Sequence, residues 1–195
     1  QESDYKETSF RFGFRVYRDT YADSIRKNDQ QICWGGVCEG LPLSATTCRP
    51  SDSDMQANWD EFIEQFNQVA ESHDEKDDYP EKLFDGLRQA IQDMTSCPKR
   101  TKLLFVIGDH GDKHRKVPQD IVNAFNYSFE RKALYFIQTP NNAHQARTPS
   151  AYKPAYKAYR AQAFKLLDKV LPREFKGIHI ARTDYFFSLN QAQLP

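Results

Sequence analysis

Asp109, His110, Asp112 and His114 bring two carboxylates and two imidazoles into one short segment. Carboxylate oxygens are preferred ligands of Mg²⁺ and Ca²⁺, whereas imidazole nitrogens suit zinc and iron. The segment is therefore a candidate metal site, although its ligands alone do not complete a cage for a metal ion. A loop in which Asp109 caps the next turn and both histidines face solvent is the competing interpretation.

A metal-dependent phosphoesterase is the enzymatic alternative for the same four residues. In such enzymes two metal ions orient water for in-line attack on phosphate, and several separated ligand clusters hold them. An Asp-x-His pattern occurs only at 112–114, and Asn142-Ala143-His144 is a poor substitute for an Asn-His pair. The sequence also contains no Gly-x-Ser-x-Gly, phosphate-loop or dinucleotide-binding motif. The absence of these ligand clusters and motifs favours a non-enzymatic protein, so we assign no catalytic residue.

Two short apolar runs, at residues 103–107 and 133–137, would position these polar residues. Uninterrupted runs of this length predict strands that are buried on both faces of a parallel sheet. Phe10, Phe12, Phe14 and Val16 alternate with polar or small residues, which predicts a half-buried strand over residues 8–18. We expect a returning hairpin strand at 41–48, helices at 51–70, 80–94, 118–129 and 154–171, and a last strand at 177–181.

The order of these elements predicts a single α/β domain over residues 1–195. We expect an open, mostly parallel sheet of the Rossmann type with helices on both faces and an antiparallel hairpin at one edge. Ligands of such sheets bind at the carboxyl ends of the strands, near a topological switch point. Asp109 directly follows a predicted strand, so it is the first candidate for a functional site.

The charge balance excludes some classes of partner. The chain has 195 residues with 27 basic and 27 acidic side chains, so its formal net charge is zero. A protein without net charge has no general field that attracts nucleic acid or anionic lipid. No apolar run approaches the roughly 20 residues that a membrane-spanning helix needs. We therefore expect a soluble globular domain with no nucleic-acid partner and no direct membrane insertion of this segment.

Four cysteines, Cys33, Cys38, Cys48 and Cys97, allow three disulfide connectivities. Cys33 and Cys38 flank a Gly-Gly pair that predicts a tight hairpin, and residues on either side of such a turn face each other. This geometry permits a Cys33–Cys38 bridge and leaves Cys48 to pair with Cys97. Buried free thiols and a zinc site are the alternatives, although the spacing is wide for zinc. Disulfides would indicate an extracytoplasmic compartment, either periplasmic or secreted.

Three segments resemble bacterial von Willebrand factor A (vWA) domains. Residues 12–19, which end in Tyr17-Arg18-Asp19, are similar to the second strand of these domains. Residues 77–87 are similar to an acidic helix start that contains Pro-Glu, and residues 104–109 are similar to the fourth strand with its terminal aspartate. The subset with these features includes the vWA domain attached to a membrane-bound threonine kinase of bacterial type VI secretion.

The resemblance implies a non-enzymatic domain that binds another protein, or acts as a sensor, in a secretion or signalling system. By analogy Asp109 would belong to a metal site for Mg²⁺ or Ca²⁺. The partner-binding surface at the carboxyl edge of the sheet would include Asp19, Asp77, Asp78, His110 and Asp112.

One central feature of the family has no counterpart here. The Asp-x-Ser-x-Ser motif of the vWA metal site does not occur in the sequence, and neither do the first strand and first helix that carry it. Without a central strand, the edges of the two neighbouring buried strands lack hydrogen-bond partners, and each unsatisfied buried polar group costs about 1 to 3 kcal/mol of stability. We therefore expect an N-terminal segment upstream or a neighbouring chain to supply this strand and the rest of any metal site. Direct pairing of the strands at 8–18 and 103–107 would contradict this expectation.

Overall fold

The computed structural model describes residues 9–17, 37–42, 48–69, 81–140, 149–172, 174–175 and 178–189. Within these ranges helices and strands are interspersed along the chain, as in α/β proteins. The elements are β1 (Phe14–Tyr17), β2 (Val37–Leu41), α1 (Asp52–Asn67), α2 (Leu83–Asp93), β3 (Lys102–Gly108), α3 (Gln119–Ser128), β4 (Lys132–Gln138), α4 (Pro149–Val170), β5 (Glu174–Phe175), β6 (Ile178–His179), a 3₁₀ turn (Arg182–Tyr185) and β7 (Phe186–Ser188).

β1 and β2 form an antiparallel hairpin in which Phe14 lies opposite Leu41. The helix that packs on it, α1, begins with a capping box. Ser51 Oγ accepts a hydrogen bond from the Asp54 amide, and the Asp54 carboxylate accepts one from the Ser51 amide. Aromatic rings of α1 then pack on the hairpin, with the Phe62 and Phe14 centroids 5.6 Å apart. The helix predicted at 51–70 is thus confirmed, although it ends slightly earlier.

β3, β4 and β7 form a parallel sheet with β4 in the centre. β3 and β4 pair residue for residue along their whole length, and β7 pairs with the second half of β4. Residues of α2, α3 and α4 form one apolar core with Val106, Leu134 and Phe136 of the strands. The runs at 103–107 and 133–137 are therefore strands of a parallel sheet, and three helices cover one face of it.

The opposite face of this sheet is exposed along β3. Side chains alternate between the two faces of a strand, and Leu103, Phe105 and Ile107 are 56%, 53% and 56% exposed. The prediction that residues 103–107 are buried on both faces is therefore wrong for the described part of the molecule. An apolar run has the same pattern whether one or both faces are covered, so the sequence did not distinguish the two cases.

The β1–β2 hairpin, in contrast, has helices on both faces. Phe14 packs on α1, whereas Arg15 forms an ion pair with Asp93 at the end of α2. Gly86 of α2 lies so close to Tyr17 that an added Cβ would be 2.8 Å from the Tyr17 Cβ. Among the described strands, β1 pairs only with β2 and does not pair with β3. The structure is thus mixed α/β, with a parallel three-strand sheet and an antiparallel hairpin.

Two strands lie at positions that differ from the prediction. The partner of β1 is β2, which begins earlier than the predicted strand at 41–48 and shares Leu41 with it, while residues 43–47 lie outside the described residues. Gly40 allows the close approach of the two strands, since a Cβ there would lie 2.1 Å from the Phe14 carbonyl oxygen. Among the described residues of the predicted strand at 177–181, Ile178–His179 is a strand that pairs with β5 in a small antiparallel hairpin, and residues 180 and 181 are not in a strand. β7 joins the parallel sheet instead. It has three residues, too few for a periodic pattern to identify it.

The helices predicted at 80–94, 118–129 and 154–171 correspond to α2, α3 and α4. α4 begins at Pro149, earlier than predicted, and Pro154 lies inside it. Proline is favoured in the first turn of a helix, so either proline could mark the start. Among the described residues, no helix is both long and apolar enough to cross a membrane.

A disulfide joins Cys48 and Cys97, whose Cα atoms are 5.4 Å apart. It links the chain before α1 to the chain after α2. Arg100 reinforces this link, because its Nε donates a 2.6 Å hydrogen bond to the Cys48 carbonyl oxygen. The predicted Cys48–Cys97 pair is present, so these two residues are neither free thiols nor zinc ligands. Cys33 lies outside the described residues, and the Cys33–Cys38 pair stays a prediction.

Candidate functional site

The segment from Asp109 to His114 follows β3 at the carboxyl end of the parallel sheet, where the sequence predicts it. Asp109 is partly exposed, and its Oδ2 lies 3.2 Å from His110 Nδ1. His110 itself is only 2% exposed, and its ring meets the Tyr152 ring edge-on at 4.9 Å between centroids. His114 is exposed. The interpretation in which both histidines face solvent is therefore correct for His114 and wrong for His110.

Asp112 is buried, with 4% of its surface exposed, and its carboxylate organises the backbone around it. Oδ2 accepts a 3.0 Å hydrogen bond from the Phe84 amide in the first turn of α2. Oδ1 accepts a 2.8 Å bond from the His114 amide. A helix start has amides without partners inside the helix, and a carboxylate there satisfies one of them and complements the helix dipole. Asp112 thus ties the loop after β3 to the start of α2.

Gln162 of α4 is a residue of this site that the sequence analysis missed. It is buried, and its Nε2 donates to the carbonyl oxygens of Asp112 and His114 at 2.7 and 2.9 Å. Its Oε1 accepts from the Asp112 amide at 2.8 Å. One side chain therefore satisfies three backbone groups of the loop. The available signal was a polar residue on the apolar side of a helix, next to Ala163.

Gly111 allows the loop to lie directly on α4. A Cβ at this position would be 2.6 Å from the Tyr159 amide nitrogen and 2.5 Å from Gln162 Oε1. The Gly111 amide donates a 3.1 Å hydrogen bond to the Ala155 carbonyl oxygen. Since backbone atoms of a helix cannot move aside, a larger residue would displace the loop.

Two tyrosines meet below the end of β3. Tyr159 is fully buried, and its hydroxyl donates to the Val106 carbonyl oxygen at 2.7 Å. The Tyr17 hydroxyl donates to the Ile107 carbonyl oxygen at 3.2 Å. Burial raises the pKa of both phenols above that of a free tyrosine, and the nearby Asp109 carboxylate adds to the effect. Both groups are therefore neutral hydrogen-bond donors near neutral pH.

The four residues of the predicted metal site do not converge on one point. Asp109 contacts His110, whereas Asp112 turns toward α2 and bonds the amide of His114. Among the described residues, no group of three or more histidine, cysteine or acidic side chains could hold a metal ion. The partner-binding candidates Asp19, Asp77 and Asp78, and the Asn142–His144 segment, lie outside the described residues.

A second surface, which the sequence analysis did not identify, is the exposed side of the parallel sheet. We call it the open sheet face. The Phe105 and Tyr135 rings stack there with centroids 5.1 Å apart, and Tyr135 stacks in turn on Tyr185 at 5.2 Å. The face consists of Leu103, Phe105, Ile107, Tyr135, Tyr185 and Phe187.

Comparison with known proteins assigns no family to this chain. A scan against models of protein families, a search of curated proteins and a search of solved structures each found no match. The vWA resemblance therefore rests on residues 12–19, 77–87 and 104–109 alone.

Proposed function

We propose that this chain is a non-enzymatic domain that binds another protein through the open sheet face. The observation that carries the proposal is the exposure of Leu103, Phe105 and Ile107, each more than half exposed on adjacent positions of one strand face. Contiguous apolar surface of this kind is characteristic of protein interaction sites. The aromatic stack of Phe105 on Tyr135 extends the surface across two strands.

The polar residues after β3 support binding more than turnover. Both carboxylate oxygens of Asp112 accept backbone hydrogen bonds, so a metal ion would compete with the contacts that hold α2. Gln162 is likewise bonded to the loop backbone. Asp109 is partly exposed at the carboxyl end of β3, the strand that carries Leu103, Phe105 and Ile107, where it would contribute to a polar rim around an apolar contact. No observation favours the phosphoesterase alternative over this role.

The finer proposal is a vWA-like domain of a bacterial secretion or signalling system. The parallel strand that Asp109 follows and the antiparallel hairpin support it. The Cys48–Cys97 disulfide supports an extracytoplasmic location, since disulfides persist mainly in oxidising compartments. A Mg²⁺ or Ca²⁺ ion at Asp109 would need further oxygen ligands from a segment that carries the Asp-x-Ser-x-Ser motif.

Site-specific photo-crosslinking tests the proposal. A photoreactive phenylalanine analogue replaces Phe105 in cells that produce the protein, and Tyr127, which is 85% exposed on α3, provides the control position. We expect a discrete crosslinked protein at position 105 that is absent at 127 and is lost when Ile107→Glu is added. No crosslink at 105, or the same pattern at both positions, would contradict the proposal.

A second measurement separates binding from catalysis. The purified chain is incubated with bis(p-nitrophenyl) phosphate and Mn²⁺ or Zn²⁺, and we expect no turnover. Turnover that His114→Ala abolishes would establish the enzymatic alternative.

A further inference from the structure

The loop between Asp112 and α3 carries basic side chains at four consecutive positions. Lys113, His114, Arg115 and Lys116 are all exposed, in a chain whose formal net charge is zero. Within the described ranges, none of these four side chains forms a hydrogen bond or an ion pair. The loop therefore presents its cations to other molecules.

The backbone that carries these cations is fixed at both ends of the loop. The His114 amide donates to Asp112 Oδ1 at 2.8 Å, and its carbonyl oxygen accepts from Gln162 Nε2 at 2.9 Å. At the other end Val117 is buried in the core. A partner that binds a fixed loop loses less conformational entropy than one that must order it.

α4 places two further cations beside this loop. Lys165 and Lys169 follow Gln162 by three and seven residues, so they lie on the same side of the helix as this side chain. Both are exposed. Asn126 of α3 donates a 3.3 Å hydrogen bond to the Lys169 carbonyl oxygen, so the chain that follows the loop also runs along this side of α4. We define the basic surface as Lys113, Arg115, Lys116, Lys165 and Lys169.

The acidic side chains of the two helices beside the basic surface already have partners. The acidic residue of α3 is Asp120, which accepts a 2.8 Å hydrogen bond from Arg88 Nε. That of α4 is Asp168, which accepts a 2.9 Å bond from Arg182 Nε. Both arginines lie outside the basic surface. The acidic residues of α3 and α4 therefore do not neutralise it.

The zero net charge of the chain results from charges that are separated along it. α1 contains no lysine or arginine, and its acidic residues are Asp52, Asp54, Asp60, Glu61 and Glu64. Because the opposite charges cancel at long range, the molecule has no general field that attracts an extended polyanion such as nucleic acid or an anionic membrane. A short acidic segment can instead contact the basic surface alone. The charge distribution thus favours a protein partner with a local group of carboxylates.

We propose that the basic surface binds an acidic segment of a partner protein. This interaction is additional to the one at the open sheet face and does not depend on it. From the level of Gln162 to that of Lys169, α4 rises by about 10 Å, at about 1.5 Å per residue. An extended segment of about three to four residues has this length, at about 3.3 Å per residue. The guanidinium of Arg115 can bind a carboxylate through two parallel hydrogen bonds.

Peptide binding tests the proposal. The probe is a fluorescent, blocked peptide of about eight alternating glutamate and serine residues, long enough to span the basic surface. Fluorescence anisotropy follows its binding at about 0.15 M salt, where distant charges are screened. A peptide with glutamine in place of glutamate is the control probe. The test variant combines Lys113→Gln, Arg115→Gln and Lys116→Gln.

Two further variants separate this surface from a general attraction of charges. The matched control combines Lys99→Gln, Arg131→Gln and Lys153→Gln, which removes the same charge from exposed positions elsewhere. Gln162→Leu keeps every charge and removes the hydrogen bonds that fix the loop backbone. If Gln162→Leu fails to fold, Lys165→Gln with Lys169→Gln tests the part of the surface on α4.

We expect saturable binding of the glutamate peptide to the unchanged chain and no binding of the glutamine peptide. The loop variant should weaken binding by about tenfold, as the loss of three exposed ion pairs implies. The matched control should weaken it by less than about twofold. Gln162→Leu should weaken it by about threefold, because the cations lose their fixed position. Lys165→Gln with Lys169→Gln should also weaken it by about threefold.

Several results would overturn the proposal. One is absence of binding to the unchanged chain, including the case in which acidic residues of the chain itself occupy the surface. Others are equal weakening by the loop and control variants, or unchanged binding by Gln162→Leu, since either would indicate a general attraction of charges. Tighter binding to duplex DNA or to phosphatidylserine vesicles than to the peptide would assign the surface to a different partner. Ile107→Gln on the open sheet face should leave peptide binding unchanged, so the two surfaces are tested separately.

Discussion

Replacement of Asp112 tests whether this buried carboxylate holds the fold. Asp112→Ala leaves the amides of Phe84 and His114 without their acceptor. Each buried donor that loses its partner costs about 1 to 3 kcal/mol. For two donors the combined cost would be about 2 to 6 kcal/mol. Because His114 is exposed and water can reach its amide, we expect the unfolding free energy to fall by about 3 kcal/mol, in the lower half of this range.

We expect Asp112→Asn to lower the unfolding free energy by less than Asp112→Ala does. Its side chain keeps one oxygen acceptor and replaces the other by a donor, so one of the two amides retains a partner and the expected loss is about 1 to 2 kcal/mol. The control is Asp60→Ala on the exposed side of α1, where Asp60 accepts only a hydrogen bond from Gln56. Such a surface change should stay within about 0.5 kcal/mol.

Urea unfolding followed by circular dichroism at neutral pH measures all three variants. We expect Asp112→Ala to be the most destabilised variant, Asp112→Asn the next and Asp60→Ala the least. If Asp112→Ala were no more destabilised than Asp60→Ala, the carboxylate would not hold α2 and would again be a candidate for a ligand or catalytic role.

Three further predictions concern the stability of the fold. Removing the disulfide with Cys48→Ser and Cys97→Ser should lower the unfolding free energy by about 2 to 4 kcal/mol, because the disulfide closes a long loop of the chain. Urea unfolding measures this loss, and the unchanged protein after full reduction provides the comparison. Gly111→Ala should lower the melting temperature clearly, because its Cβ would lie 2.6 Å from the Tyr159 amide nitrogen; an unchanged melting temperature would refute the close packing. The raised pKa values of Tyr17 and Tyr159 mean that the unfolded chain loses phenol protons first as pH increases. Stability should therefore be complete below about pH 10 and fall above it, and Tyr159→Phe should make the alkaline fall shallower.

The parts of the fold that depend on local patterns could be predicted from the sequence. Ser51 and Asp54 identify the start of α1 because a capping box uses only residues three apart. The apolar runs identify β3 and β4 because continuous apolar stretches suit parallel strands. Asp109 was correctly placed at the carboxyl end of the sheet because it directly follows such a run.

Features that depend on distant partners could not be predicted. Gln162 looks like an isolated polar residue of a helix until the loop that it bonds is known. His110 was assigned to the surface in one interpretation because its burial depends on Tyr152, far along the chain. The exposure of Phe105 depends on which elements cover the sheet, and the residue itself carries no sign of it.

The openness of β3 is best tested by amide hydrogen exchange along this strand, measured by NMR on the isolated chain. If no other segment covers β3, the amides of Leu103 and Phe105, which point away from β4, exchange rapidly, whereas those of Leu104 and Val106, which face β4, exchange slowly. Equal and strong protection of all four amides would contradict the proposed interaction surface, because it would mean that another segment of the chain already covers β3.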